Sequence, residues 1–321
     1  MSDIDNENNC GTPAVAPSPI QQELAAGLLA DKATTSPKYF YDAVGSVLFE
    51  AICVLPEYYP TRTEASIISE YLSDIAHAIG PGGTLIDLGA GNCAKAARLF
   101  PQLHPDQYVP IDISVDHLRE AVGRLQQRFP HIEMTALGID FSQDWSLPSE
   151  VRNERRLFFY PGSSIGNFEP EMALAFLKQL RVLCGNGGGI LIGIDLIKEH
   201  AVLNAAYDDD LGVTAAFNLN VLRHINQQLG TDFDVHQWQH RAFFNADKSR
   251  IEMHLEARSE MTIRWPGEHR HFIRGERIHT ENSYKYSLDS FLALLNAAGF
   301  GQSRHWTDDA GWFAVVYAKA I

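Results

Sequence analysis

Cysteine is scarce in this 321-residue chain, and the four present (Cys10, Cys53, Cys93, Cys184) form no C-x-x-C pair. That scatter excludes a disulfide framework and fits a reducing compartment. No apolar run approaches the ~20 residues that span a bilayer, and no charged-then-apolar leader opens the chain. Basic residues are also short, 26 against 40 acidic ones, for a formal charge of −14. Nucleic acid and anionic membranes reward basic patches, so neither is expected as a partner. Internal repeats and low-complexity blocks are missing too. The expectation is a cytoplasmic monomer acting on a small molecule.

What is present is ordinary for a globular protein, with 45% apolar and 21% charged residues and enough length for one large domain or two. Thr84-Leu85-Ile86-Asp87-Leu88-Gly89-Ala90-Gly91-Asn92 reads as a buried strand ending in an acid and a tight glycine turn. Glycines there let the backbone approach a ligand closely, at the strand edge where α/β proteins hold nucleotide-like cofactors. Tyr108–Ile111 forms a second strand ending in Asp112, about 20 residues on, where a ribose-binding acid belongs. A third, Met134–Ile139, ends in Asp140-Phe141. Gly89 to Ala94 also satisfies the dinucleotide fingerprint G-x-G-x-x-G/A. Asp87 at the strand end would attract a cationic ligand. Asp140-Phe141 is either an adenine site or a helix cap with a core aromatic. Three strands ending this way resemble a class I S-adenosylmethionine-dependent methyltransferase.

Residues 1–19 are polar and rich in Asn, Pro and Ala, and read as a disordered tail. Ile20 to Asp31 has helical spacing, Pro56 to Glu64 reads as an ordered loop, and Thr63 to Ile79 as one helix before the glycine strand. Strands near 84–88, 108–111, 134–139, 156–160 and 189–194 alternate with helices, predicting a parallel sheet covered on both faces. After Lys198, helical text from His200 to Leu229 leads to period-two alternation over Arg250–Arg258 and a β-rich run through Trp265 and Ile273. Such a meander belongs to a second, inserted unit. Ser287 to Ala298 returns to helix, and Asp308–Gly311 reads as a hairpin turn. The expected fold class is α/β, a Rossmann-like methyltransferase sheet with a second α+β substrate-binding domain. Its boundaries are 20–62 with 198–286 for the substrate domain, and 63–197 with 287–321 for the methyltransferase domain.

The Pro161–Asn167 loop follows the fourth of these strands, on the same edge as the glycine turn. Asn167 there is either a ligand group or the cap of the next helix. Tyr207 precedes three aspartates, by default a solvated acidic face, and Glu281 and Ser283 are two apart and share one side of a strand. His236 and His240 are spaced for one helix face, but no Cys or carboxylate sits at ligand spacing, so no metal is expected.

Lys38–Ser46, Pro56–Glu64, Gly162–Asn167, Tyr207-Asp208-Asp209, Gly212–Asn218, Arg250–Met253 and Glu281-x-Ser283 together resemble the histidine Nα-methyltransferases of ergothioneine biosynthesis. The resemblance runs from about residue 36 to the end. It implies that Asn167 and Tyr207 hold a histidine carboxylate. Tyr58, Glu281 and Ser283 would grip the imidazole, with Phe49 and Met253 lining its pocket. Tyr41, Gly162 and Ser164 would orient the α-amine, and Gly89, Lys95, Asp112, Asp140 and Phe141 would bind S-adenosyl-L-methionine. Ala90 and Asn92 replace Ser and Thr of the family pattern, and Ser164 replaces Thr, changes that bear on cofactor affinity and not on the reaction. The implied activity is trimethylation of L-histidine to hercynine. Alternatives are another amino acid such as tryptophan, or a nucleotide-binding oxidoreductase.

Overall fold

A computed structural model describes residues 16–113, 115–141 and 145–321. The tail expected over 1–19 lies outside the described residues up to residue 15, and its end is helical: α1 (Pro19–Leu29) starts under a capping box made by Ser18 and Gln21. After it come α2 (Ala43–Ile52), α3 (Tyr59–Glu70) and α4 (Leu72–Ile79). Two expectations are corrected there. The supposed loop over 56–64 becomes helix at Tyr59, because Pro60 sits in the first turn, where a missing N–H costs nothing. The supposed single helix over 63–79 breaks at Tyr71 (φ −100°, ψ 14°).

The sheet strands are β1 (Thr84–Leu88), β2 (Gln107–Asp112), β3 (Glu133–Met134), β4 (Leu137–Gly138), β5 (Arg156–Tyr160) and β6 (Gly189–Asp195). The single strand expected over 134–139 is thus two short pieces, both paired parallel to β2. Between them lie α5 (Ala94–Ala97), α6 (Phe100–Leu103), α7 (Val115–Arg128) and α8 (Pro170–Leu183). Every residue of β1, β5 and β6 is buried, as a sheet covered on both faces requires. Alternate residues split between two cores: Ile86, Leu88, Phe158 and Ile192 pack toward α8, whereas Leu85, Leu157 and Leu191 pack toward Ile67, Ile75 and Phe100.

Then come α9 (His200–Tyr207) and α10 (Val213–Leu229), split where one helical run was expected; Gly212 at φ +73° opens the second. The antiparallel sheet that follows comprises β7 (Trp238–Asn245), β8 (Arg250–Ala257) and, beyond the hairpin β9 (Met261–Trp265) and β10 (Glu268–Phe272), β11 (Arg277–Tyr284). His240 therefore lies on a strand and not on a helix face with His236. Helix α11 (Leu288–Ala297), capped by Ser287, and the hairpin β12 (Phe300–Thr307) and β13 (Phe313–Ala320) return to the first sheet, β13 pairing antiparallel to β6. A third core joins α1 and α2 to α10 and β8 through Leu24, Phe40, Ile52, Phe217, Val221 and Leu255. It unites the two ends of a long sequence gap.

Among the described residues the large sheet runs β12-β13-β6-β5-β1-β2-β3. The chain leaves β1 toward β2 and β3, then comes back to lay β5 on the opposite side. This reversal opens a crevice at the carboxyl ends of β1 and β5, where such sheets bind ligands. The fold is a class I, Rossmann-like methyltransferase sheet with an added helical and antiparallel substrate unit. No helix among the described residues is long and apolar enough to cross a membrane.

Phe158, fully buried at the centre of β5, is the sharpest test of this core. Phe158→Ala is expected to cost about 3–5 kcal/mol, read as a lower urea midpoint with an unchanged slope.

Candidate active site

Gly89 (φ +68°) and Gly91 (φ +50°) carry the turn after β1 across backbone space that L side chains avoid. A Cβ on Gly91 would meet nothing within 4 Å, and one on Gly89 would first meet the Phe141 ring at 3.9 Å. The turn is thus an open cradle facing an aromatic ring. Asp112, at the end of β2, accepts the Gly91 N–H at 3.0 Å. Asp140 pairs with Lys38 at 3.2 Å, while the Phe141 ring contacts Tyr160 and Phe176. Phe141 is both a core aromatic and a wall of the cradle.

Lys95, on α5, sits where this cradle meets the loop after β5. Its ammonium is 2.8 Å from Glu64, whose other oxygen accepts the Gly162 N–H at 2.7 Å. A Cβ on Gly162 would lie 3.1 Å from the Lys95 nitrogen. Acids placed for hydroxyls, an aromatic face, a Cβ-free turn and a lysine suit a nucleoside joined to an amino-acid tail. Asp87 does not belong to this set: it is buried and spends one oxygen on the Tyr108 hydroxyl at 2.7 Å. Burial pushes its carboxyl up to about 7, and its second oxygen has no hydrogen-bond partner among the described residues.

Next to Gly162 a cavity of about 60 Å³ opens, several times the ~10–15 Å³ that one ordered water needs. Tyr41, Phe49, Tyr58, Gly162, Ser164, Asn167, Tyr207, Met253, Glu281 and Ser283 all line it. These are the ten residues the resemblance named around the substrate. Tyr41, Phe49, Tyr58 and Tyr207 form a chain of edge-to-face rings with centroids 5.6–6.2 Å apart, and Phe217 packs on Tyr41 and Phe49. Asn167 ends a short 3-10 turn and does not cap α8, whose N-cap is Glu169. Among the described residues neither Asn167 nor Glu281 has a side-chain hydrogen-bond partner, so their polar atoms remain free for a ligand.

Tyr207 ends α9, and its carbonyl accepts from His240 Nε2 at 2.9 Å, whose Nδ1 faces the Asn218 amide at 2.8 Å. His240 is a core histidine, held neutral by burial, which lowers its pKa. Asp209 is no solvated acid: it accepts the Val213 and Thr214 N–H groups and anchors the start of α10. Burial raises the Tyr58 phenol well above the usual tyrosine value, and the Tyr41 phenol shifts the same way through desolvation of its hydroxyl and the Glu281 carboxylate, although the residue as a whole is 40% exposed. Burial also raises Glu281 to about 7, against a smaller lowering by Lys285. Sequence reasoning missed Phe217, Thr214 and the buried Glu64 and Lys285. Phe217, Thr214 and Glu64 fall inside runs that carried the resemblance, whereas Lys285 lies two residues past the Glu281-x-Ser283 pair and had no such signal.

A family model described as "Histidine-specific methyltransferase, SAM-dependent" matches residues 20–320. The chain belongs to this family. Within it, the chain is 39% identical over 305 residues to the Histidine N-alpha-methyltransferase of Mycolicibacterium smegmatis, covering 93% of this chain and 94% of that protein. It is 38% identical over 305 residues to the protein of the same name from Mycobacterium tuberculosis, with the same coverage. Against Ergothioneine biosynthesis protein 1 of Neurospora crassa it is 30% identical, over 83% of this chain and 31% of that longer protein. The methyltransferase uses S-adenosylmethionine, and the cradle fits that cofactor; the dinucleotide oxidoreductase alternative loses its support.

Asp112→Ala removes the partner of the Gly91 N–H and an acceptor for ribose hydroxyls. It is expected to weaken S-adenosylhomocysteine binding at least ~10-fold by calorimetry. Glu281 gives a pH test. Its carboxyl is raised in the folded state, so folding binds its proton, and stability falls as pH climbs from the ordinary glutamate range toward 7. Glu281→Gln should therefore be more stable than wild type to urea at pH 8, by on the order of 3 kcal/mol, with little difference at pH 4.

Proposed function

We propose that this enzyme methylates the α-amine of L-histidine, repeatedly, until the trimethylated betaine hercynine forms, a first step toward ergothioneine. The observation that carries the reading is the gathering of all ten expected substrate residues around one small cavity beside Lys95 and the glycine turn. The names of the relatives support the same substrate. In this reading residues 20–62 and 198–286 form the substrate unit, and 63–197 with 287–321 the cofactor unit. The separate core uniting α1 and α2 with α10 and β8 supports that division.

The cofactor, when bound, supplies a methyl group already activated on a sulfonium. The work left to this chain is orientation and proton removal. Asn167 and Tyr207 hold the carboxylate, Glu281 and Ser283 the imidazole nitrogens, and Phe49, Tyr58 and Met253 fill the sides. Tyr41, Ser164 and the Gly162 backbone direct the amine toward Lys95 and the cradle. An ammonium has no lone pair, and a reference α-amine titrates near pH ~8, so a reactive fraction forms by loss of a proton to water or a nearby phenol. Tyr41 is placed to orient the amine.

Tryptophan is the rival substrate, and the Glu281–Ser283 pair argues against it. Imidazole has two ring nitrogens needing partners and indole one N–H. Mass spectrometry of histidine incubated with enzyme and S-adenosylmethionine should show mono-, di- and trimethylated products. Glu281→Ala should lower the histidine-to-tryptophan ratio of catalytic efficiencies by ~10-fold, and Met253→Val added to it should lower the ratio further. An unchanged ratio would remove the pair from ring recognition.

A further inference from the structure

Behind the cavity wall lies a charge that the methyl-transfer reading leaves unused. Lys285 follows the end of β11, and its side chain is 0% exposed. Its ammonium has three protons and three oxygens around it: Asp195 at 2.8 Å, Ser283 at 2.7 Å and Tyr207 at 3.0 Å. The two hydroxyls are themselves 2.8 Å apart. Every ammonium proton is thus spent on protein, and none is left for a substrate.

Neutralising Asp195 does not explain this lysine. Asp195, at the end of β6 and 1% exposed, already holds the Lys198 ammonium at 2.5 Å and the Tyr59 hydroxyl at 2.7 Å. Asp195 thus faces two ammoniums, and the further acids that act on them, Glu281 on Lys285 and Asp308 on Lys198, lie beyond ion-pair distance. Burial pulls the Lys285 pKa down, but Asp195 and Tyr207 outweigh it and keep the group charged. The hydroxyl inventory also matters. Tyr207 and Ser283 each accept one ammonium proton, and their mutual contact uses one of their own two, so the pair has a single proton left to offer the cavity.

We propose that Lys285 is a specificity-determining positioning residue, which fixes that remaining proton toward the substrate and backs Tyr207 with positive charge, so that the enzyme selects substrates bearing a carboxylate. The inference rests on the reading of Tyr207 as the carboxylate's partner. A hydroxyl whose oxygen already accepts from an ammonium is a stronger donor. The carboxylate is thus read by a phenol with a cation behind it, where a contacting arginine would otherwise serve.

Histamine lacks the carboxylate and is the discriminating probe. Dissociation constants for histidine and histamine are measured by calorimetry on the full-length enzyme with S-adenosylhomocysteine bound. Lys285→Met is expected to weaken histidine at least ~10-fold more than histamine. In a Tyr207→Phe background the same change should move the ratio less than ~3-fold, because the lysine acts through that hydroxyl. Lys285→Gln keeps a donor of similar length without the charge, and serves if the methionine variant does not bind S-adenosylhomocysteine. Its ratio should shift in the same direction. Equal weakening of both ligands would mark Lys285 as structural support and overturn the proposal, as would an undiminished effect in the phenylalanine background. Failure of the wild type to methylate histidine would overturn the functional reading itself, a result the binding ratios cannot imitate.

Discussion

Two oxygens of one buried carboxylate set the distance between the two halves of the site. Glu64 is 1% exposed, and it grips Lys95 at the cofactor turn with one oxygen and the Gly162 backbone with the other. Gly193 on β6 makes room for it, since a Cβ there would come within 2.1 Å of the same oxygen. Methyl transfer depends on holding two reactants in line, and small misplacements cost rate steeply. A charge-assisted bridge from α3 to both loops is stiffer than loop packing alone. Glu64 therefore couples helix α3 to the positions of both ligands.

A second hub serves the substrate side. Asp195 closes β6 and gathers Tyr59 from α3, Lys198 and Lys285 around it, while its own N–H donates to the Ser163 hydroxyl. The large sheet, the loop after β5 and the end of β11 are thereby tied at one point. Buried ions are costly unless fully partnered, and here each finds oxygen or nitrogen on every side. The arrangement locates β11, and with it Glu281 and Ser283, relative to the crevice.

Much of the scaffold was legible because its physics is local. The strands β1, β5 and β6 are unbroken apolar runs buried on both faces, and the Ser287 cap and Gly299 bracket α11 as written in the sequence. The break at Tyr71 carries no Gly or Pro to announce it. Strand β7 escaped notice because most of its residues are only partly buried and its Gln, His and Arg residues blur the alternation. The ten cavity residues were found through resemblance, not periodicity, since they come from five separated segments. Glu64 and Lys285 were invisible for the same reason: a buried charge is explained only by its partners, and theirs lie 31 to 98 positions away for Glu64.

The aromatic wall of the cavity has a consequence for turnover. Tyr41, Phe49, Tyr58, Tyr207 and Phe217 present π faces and edges around a space of small volume. Rings in such number attract quaternary ammonium groups, which cannot be held by hydrogen bonds. Each methyl added to an amine removes a proton that Tyr41 or Ser164 could grip and enlarges a cation that the rings can embrace. On the proposed function, a partly methylated amine would be held by the rings where its lost hydrogen bonds no longer serve. On that same proposal, the walls that favour each added methyl would also favour the finished product, so that binding and release are set by one group of rings.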